Sequence, residues 1–231
     1  MTSTYAPTWR DHLSNLRMAA SSVRFVPRLP TERLEVLFPE IDKLEISLRH
    51  SVRDRALLFA EAYVLSLITA YLRPARIFEI GTATGQGTLL MARQAPEARI
   101  DTLDLGSGAP SLGRQTGEPP WQDLDSIGEA YRETDYAAHI TQHFGDSARF
   151  DFSPFHGQIE LVFVDGAHTY EYVRSDSRNA LAMVASGGVV IWDDCNYVCP
   201  GVSRRLLELR REGLPIYRVL GTRFAVLRLP S

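Results

Sequence analysis

Lysine is almost missing from this chain. Of the 25 basic residues only Lys43 is a lysine, and the rest are arginines, which stay protonated under any ordinary condition. A proton-accepting base drawn from the basic residues must therefore be a histidine, because Lys43 lies far from every motif described below. Cysteine is scarce as well. Cys195 and Cys199 are the only two, too few for a disulfide scaffold. As a C-x3-C pair without a second Cys/His pair they do not make a zinc motif, and they read as core or loop thiols. No apolar run approaches the roughly 20 residues of a membrane span. The first 20 residues lack the basic region and apolar core of a secretory signal. Nor is there a dense basic patch, and the formal net charge is −3, which argues against nucleic acid as a partner. These absences predict a cytoplasmic protein with neither membrane nor nucleic acid among its partners.

What the chain does have is enough apolar material for a core. At 231 residues, 45% hydrophobic and 23% charged, it fits one globular domain, or one with a small appendage, and needs no disulfides to bury its interior. Residues 8–72 read as mainly helical. "RDHLSNLRMAA" and "RDRALLFAEAYVLSLITAYL" carry apolar residues at three- and four-residue spacing, with Pro27, Pro30 and Pro39 breaking the stretch between them and Pro74 closing the second helix. From there strands and helices alternate. "ARIFEI" (75–80), "ARIDTLDL" (98–105), "HITQHFG" (139–145), "IELVFVD" (159–165) and "GGVVIWDD" (187–194) read as strands. "QGTLLMARQA", "YEYVRSDSRNALAMVA" (170–185) and "VSRRLLELRRE" read as helices. "PIYRVLG" and "RFAVLRL", two residues apart, are spaced for an antiparallel hairpin. Near-continuous apolar strands between helices mean an open α/β sheet covered on both faces. Ligands of such sheets bind beyond the carboxyl ends of the strands, and every acidic motif here lies at such an end.

One of these ends begins a turn rich in glycine. "FEIGTATGQGTL" (78–89) follows a strand and opens a helix, and Gly81, Gly85 and Gly87 let the backbone turn sharply there. The spacing G-x-x-x-G-x-G is not the dinucleotide G-x-G-x-x-G. Asp104, at the end of the next strand, is placed to accept bonds from ribose hydroxyls. Asp146 in "FGDS" (144–147), just past another strand, is placed to accept one from an adenine amino group.

Glu79-Ile80-Gly81-Thr82-Ala83-Thr84-Gly85, then Asp104, then Gly145-Asp146 together resemble the S-adenosylmethionine site of class I methyltransferases. The resemblance covers residues 75–228. It implies a Rossmann-like α/β fold with a seven-stranded, mostly parallel sheet in the order 3-2-1-4-5-7-6, strand 7 antiparallel, which accounts for the terminal hairpin. It also implies that Glu79 and Gly81 border the methionine part of the cofactor, Asp104 the ribose and Asp146 the adenine, with Thr82, Gly85, Leu105, Ser147 and Asp165 also in the cofactor site. Residues 1–73 are then a helical extension or cap, and 74–231 the methyltransferase domain. The Gly-, Pro- and Ser-rich stretch 106–135, which holds Trp121 and Tyr131, has the length and irregularity of a lid or substrate loop.

In this fold the fourth and fifth strands are neighbours, so Asp165 and the pair Asp193-Asp194 converge beside the methyl donor. Three carboxylates together repel unless a counter-charge neutralises them, and Mg2+, which takes oxygen ligands and keeps open positions, suits the site. A substrate hydroxyl on such an ion loses its proton more easily. His168, three residues past Asp165 and with an ordinary pKa of about 6.5, is the candidate base. Catechol O-methyltransferase-like enzymes carry Lys at that position. The run Asp-Gly-Ala-His-Thr-Tyr (165–170) followed by Gly-Gly-x-x-x-x-Asp-Asp is similar to a narrower branch. It includes metal-dependent macrolide-sugar O-methyltransferases and cephalosporin hydroxylase-like proteins, some of which have Glu-Asp in place of Asp193-Asp194. This resemblance implies Mg2+ or another divalent cation on Asp165, Asp193 and Asp194, Asp165 and His168 as the catalytic pair, and a small hydroxylated acceptor such as a sugar, an aromatic or a polyketide-type natural product. The N-terminal helices are candidates either for choosing the acceptor or for building the interface of a homo-oligomer. Asp176 and Arg174 read as a solvated helix face, Tyr170, Tyr172 and Trp192 as packing, and His139 and His143 as structural. Two other readings keep the fold: a hydroxylase, for which an iron site would want a second histidine, and a non-catalytic cofactor-binding protein.

Overall fold

The structure is a computed structural model that describes residues 29–48, 59–106 and 126–231. The helix expected at 10–20 and most of the 106–135 insertion, Trp121 included, lie outside these residues. In chain order the elements are β1 (Thr31–Glu32), α1 (Leu34–Leu37), α2 (Phe59–Leu72), β2 (Arg76–Ile80), α3 (Gln86–Gln94), β3 (Arg99–Asp104), α4 (Glu129–Arg132), β4 (Ile140–Phe144), β5 (Ile159–Val164), α5 (Tyr170–Met183), β6 (Val184–Trp192), α6 (Pro200–Arg211), β7 (Tyr217–Val219) and β8 (Ala225–Arg228).

All eight strands join one sheet in the order β1-β7-β8-β6-β5-β2-β3-β4. Strands β2 to β6 run parallel to one another, and β8 is antiparallel to both β6 and β7. With β2 counted as the first strand of the domain, this is the expected order with its antiparallel hairpin. It differs by an added edge strand, because the N-terminal extension supplies β1 as well as helix. Two residues are too few to show a period, and the flanking prolines read as breaks. An edge strand tolerates proline, however, since one of its sides needs no donor. Pro30 accepts a hydrogen bond from Arg218 N at 2.9 Å, and Glu32 accepts one from Leu220 N at 2.8 Å.

Apolar side chains alternate to the two faces of the sheet, as the pleat requires. On one face Phe78, Val162, Val164, Val190 and Trp192 pack against Val173 and Ala180 of α5 and Leu206 and Leu209 of α6. On the other, Ile77, Ile100, Leu161, Phe163 and Ile191 pack against Leu65 and Ile68 of α2 and Leu90 and Met91 of α3. Each fully buried Leu, Ile, Val or Phe contributes about 1.5–3 kcal/mol, so cover on both faces fixes the strands and the positions of their tips. Helix α5 stops at Met183 rather than 185, because Val184 already pairs with Ile159 in β6. Among the described residues no helix is long and apolar enough to cross a membrane.

Candidate active site

The sheet ladder continues one residue past each central strand. Gly81 N donates to Leu103 O at 2.8 Å, Asp165 N to Ile80 O at 2.8 Å, and Asp193 N to Val164 O at 3.0 Å. Gly81, Asp165 and Asp193 therefore stand side by side at the carboxyl edge. Only glycine fits the first position. Its φ is +100°, and a Cβ there would lie 2.1 Å from the carbonyl oxygen of Asp165.

On the β3–β4 side, the glycine turn is tied down by Asp104, which accepts from Ala83 N at 2.8 Å and Leu105 N at 2.7 Å. A carboxylate has about four lone-pair sites, so two backbone donors leave room for a diol. Asp146, one strand further, accepts from Ala148 N at 2.9 Å, with Ser147 beside it. The chain thus spaces two acidic tips on neighbouring strands along the turn.

Glu79 is 1% exposed and points beneath the turn rather than into open space. It accepts from Thr102 Oγ1 at 2.6 Å and from Thr88 Oγ1. Thr102 Oγ1 lies 2.7 Å from Thr82 Oγ1, Gln142 Nε2 donates to Thr82 Oγ1 at 3.0 Å, and Tyr131 OH donates to Gln142 Oε1 at 2.6 Å. Burial pushes Glu79 up to about 7 against the pull of the Thr102 and Thr88 hydroxyls. Tyr131, expected in a lid, instead buries its ring against Gly85, where a Cβ would lie 2.6 Å from it. Burial pushes its phenol up to about 12.

On the other side the three predicted carboxylates meet. One oxygen each from Asp165, Asp193 and Asp194 lies within 4.8 Å of the others. Burial first, then the charges of Asp193 and Asp194, hold the Asp165 carboxyl well above its ordinary range. Asp193 is pushed up to about 7 by burial and by Asp194. Asp194 goes the other way. Burial raises it, but the hydrogen bonds and charges of His168, Arg223 and Asn196 outweigh that and lower it. His168 Nε2 lies 2.9 Å from Asp194 Oδ2, and Asn196 Nδ2 donates to Asp194 Oδ1 at 3.0 Å. Asp165, His168, Asp193 and Trp192 line one small concavity with Val173 and Val202.

Sequence reasoning overlooked a cation already at this site. Arg223, just before β8, places Nη2 3.1 Å from Asp193 Oδ2 and Nη1 3.2 Å from Asp194 Oδ1. Its Nε lies 3.6 Å from Glu61 Oε1, a buried carboxylate of α2 that also accepts from Arg223 N at 2.9 Å. A signal for it existed: Trp192 pairs with Ala225, so an antiparallel strand beside β6 must begin at the Asp193 tip. Three carboxylates and one guanidinium leave a formal charge of minus two. With all-oxygen donors and two carboxyls held high by burial and mutual repulsion, the site suits one hard divalent cation.

Two other expectations turn out differently or resolve further. Asp176 does not lie on a solvated face. It is 0% exposed, it faces Gly166, and burial pushes it up to about 7, with the Ser147 hydroxyl pulling it down. His143 is structural, as expected: it pairs with Asp101 at 2.7 Å among Phe78, Phe150 and Phe155.

The family model described as "Methyltransferase domain" matches residues 78–195. Catechol O-methyltransferase B of Danio rerio is 27% identical over 153 residues, 64% of this chain and 52% of that protein, so the chain spans about half the length of this curated relative. The solved structure of the O-methyltransferase TomG of Streptomyces achromogenes, involved in tomaymycin synthesis and in complex with SAM, matches with a TM-score of 0.58 at 19% identity, covering 94% of this chain and 99% of that one. CalS11, a calicheamicin methyltransferase, matches with a TM-score of 0.54 at 16% identity, covering 97% and 94%. At these identities the structural matches establish the fold.

Proposed function

Because this chain belongs to the methyltransferase domain family, we propose that it is a metal-dependent O-methyltransferase. It would move a methyl group from S-adenosylmethionine to a hydroxyl of a small molecule. The observation that carries this reading is the position of Asp194, whose carboxylate belongs to the three-carboxylate cluster and also pairs with His168 at 2.9 Å. One residue thus links a cation site to a base.

In this reading Asp104 accepts from the ribose hydroxyls with the lone pairs that Ala83 N and Leu105 N leave open. Asp146 and Ser147 take the adenine edge. Gly81, Thr82 and Gly85 carry the methionine part, and Leu105 flanks the ribose. Glu79 acts from below, by way of Thr102 and Thr82, to hold the turn. Asp165, Asp193 and Asp194 would hold Mg2+ or a similar ion, which when bound supplies the Lewis acidity that eases loss of a hydroxyl proton. His168, held against Asp194 at 2.9 Å, accepts the acceptor's proton on its imidazole. As that O–H bond breaks, the oxygen forms its bond to the methyl carbon, the carbon–sulfur bond breaks, and S-adenosylhomocysteine leaves. Direct transfer requires mainly alignment of oxygen, carbon and sulfur.

Residues 74–231 carry this chemistry in the proposal, and the acceptor is a diffusible cytoplasmic metabolite. The roles of TomG in tomaymycin synthesis and of CalS11 as a calicheamicin methyltransferase support a natural-product hydroxyl. The test is incubation with methyl-labelled S-adenosylmethionine and a panel of hydroxylated sugars, aromatics and polyketides, with EDTA and with Mg2+. Label should enter a product with Mg2+ and stop entering with EDTA. Transfer that EDTA leaves unchanged would remove the metal from the mechanism, and label on nitrogen or carbon would remove the O-methyl assignment.

A further inference from the structure

We propose that His168, Asp194 and Cys199 form a second, mixed-donor cation site that takes a borderline transition metal ion, Zn2+ above all, and shares Asp194 with the all-oxygen site. One donor atom from each of the three lies within 4.8 Å of the others. Nitrogen, oxygen and sulfur ligands around tetrahedral zinc stand about 3.3–3.8 Å apart, so side-chain adjustments of about an ångström close the set. Cys195 takes no part in it. That thiol is 2% exposed, lies 4.0 Å from Ser203 Oγ, and is pushed up to about 11 by burial. For this reason the C-x3-C spacing of the sequence gives no hint of the site.

The backbone builds it. Gly201, in the first turn of α6, lies so close to the 168–170 segment that a Cβ would be 2.4 Å from His168 O and 2.7 Å from Tyr170 N. That approach presses the start of α6, with Cys199 one residue ahead of it, against His168. Asn196 ties the other two ligands together: its amide donates to Asp194 Oδ1 at 3.0 Å, and its carbonyl oxygen accepts from Cys199 N at 3.1 Å. Asp194 itself is held in the left-handed region at φ +54°. All three ligands are partly exposed, so an ion can reach them from solvent.

The chemistry separates the two sites. A hard ion such as Mg2+ prefers the oxygen set, whereas imidazole with thiolate selects Zn2+, Co2+ or Cu2+. Binding releases the thiol proton to solvent, and three protein ligands leave a fourth position for water. Zn2+ held here would occupy an imidazole nitrogen of His168. If His168 is the base of the proposed transfer, Zn2+ inhibits it. That consequence rests on the proposed function; the binding does not.

Co2+ titrated into the full chain tests the site, with absorption as the readout. The expected result is a thiolate-to-cobalt charge-transfer band in the near ultraviolet together with visible d–d bands. Both should saturate at one equivalent and bleach when Zn2+, but not Mg2+, is added. Cys199→Ser and Cys199→Ala should lose the charge-transfer band, Cys195→Ser should keep it, and His168→Gln should weaken Co2+ binding by about tenfold or more. Circular dichroism on each variant confirms that the chain is folded. A folded wild-type chain without the band, or a band that survives Cys199→Ser and Cys199→Ala, would overturn the proposal. None of these readouts involves methyl transfer, so failure here and failure of the transferase reading are separate results.

Discussion

His168 and Asp104 divide the proposed site into a reaction side and a donor side, and substitutions should separate the two. His168→Ala removes the proton acceptor. It should lower kcat by about 10²–10⁴-fold while S-adenosylmethionine affinity, measured by calorimetry, stays near the wild-type value; a large loss of affinity would count against the base assignment. Asp104→Ala should do the reverse and raise the cofactor Kd by about 10–100-fold, the value of charged hydrogen bonds to two hydroxyls. Asp176 gives a prediction in pH. Its folded pKa, about 7, stands above the ordinary 3.8, so the folded chain keeps this proton through a window in which the unfolded chain has lost it. Its contribution to stability is therefore present below about pH 4 and declines as pH rises to about 7, by at most about 4 kcal/mol. Asp176→Asn removes the charge with little change of shape. In urea denaturation it should be more stable than wild type at pH 8 and show no such gain at pH 4.5. The clue to this burial was present in the sequence, since 173, 176, 177 and 180 share one face at helical spacing and all are buried. The charge masks the period, because a buried carboxylate breaks the usual rule that Asp stays in solvent.

At the scale of elements, the glycine turn distinguishes conformation from space. Gly81 and Gly157 both have positive φ, +100° and +67°. A Cβ at Gly81 would meet Asp165 O at 2.1 Å, while one at Gly157 meets nothing within 4 Å. Gly157→Ala should therefore cost only the left-handed penalty of about 1–2 kcal/mol. Gly81→Ala must also part β2 from the β5 tip, and it should exceed about 3 kcal/mol or prevent accumulation of folded chain. Thermal denaturation of the pair decides between them. The central strands were readable because both faces are buried and the apolar runs end where the acidic tips begin. The tips of β5 and β6 could be paired from the expected strand order. Strand β1 could not be read, because pairing in an edge strand of two residues depends on a partner nearly 190 residues away in sequence, Thr31 with Arg218, and leaves no local pattern.

At the scale of the whole molecule, Arg223 brings together segments from both ends of the chain. Helix α2 supplies Glu61, β6 ends in Asp193, and the terminal hairpin supplies the guanidinium. Arg223→Gln should have two opposite effects. Removing a positive charge beside three carboxylates should tighten Mn2+ binding by about tenfold or more, from Coulomb attraction over a few ångströms in a partly buried site. It should also lower stability by about 2–3 kcal/mol, because Glu61 and Asp193 stay buried without that partner. Electron paramagnetic resonance of free Mn2+ reads the first, and chemical denaturation the second. Unchanged Mn2+ affinity would mean that the guanidinium does not share the cation's field. Composition could not reveal this residue, one arginine among many. Only the register of β8 against β6 selects it.

The segment that leads into α4 is fastened to the glycine turn by Gly128 N to Ala83 O and Ala130 N to Thr84 O, both at 2.9 Å. Those two bonds form a clasp whose other half is the proposed donor cradle. A ligand that quiets residues 83–85 must also slow the opening of the clasp. The amides of Gly128 and Ala130, each already bonded to a carbonyl of the turn, should then exchange their hydrogens more slowly when S-adenosylhomocysteine is present.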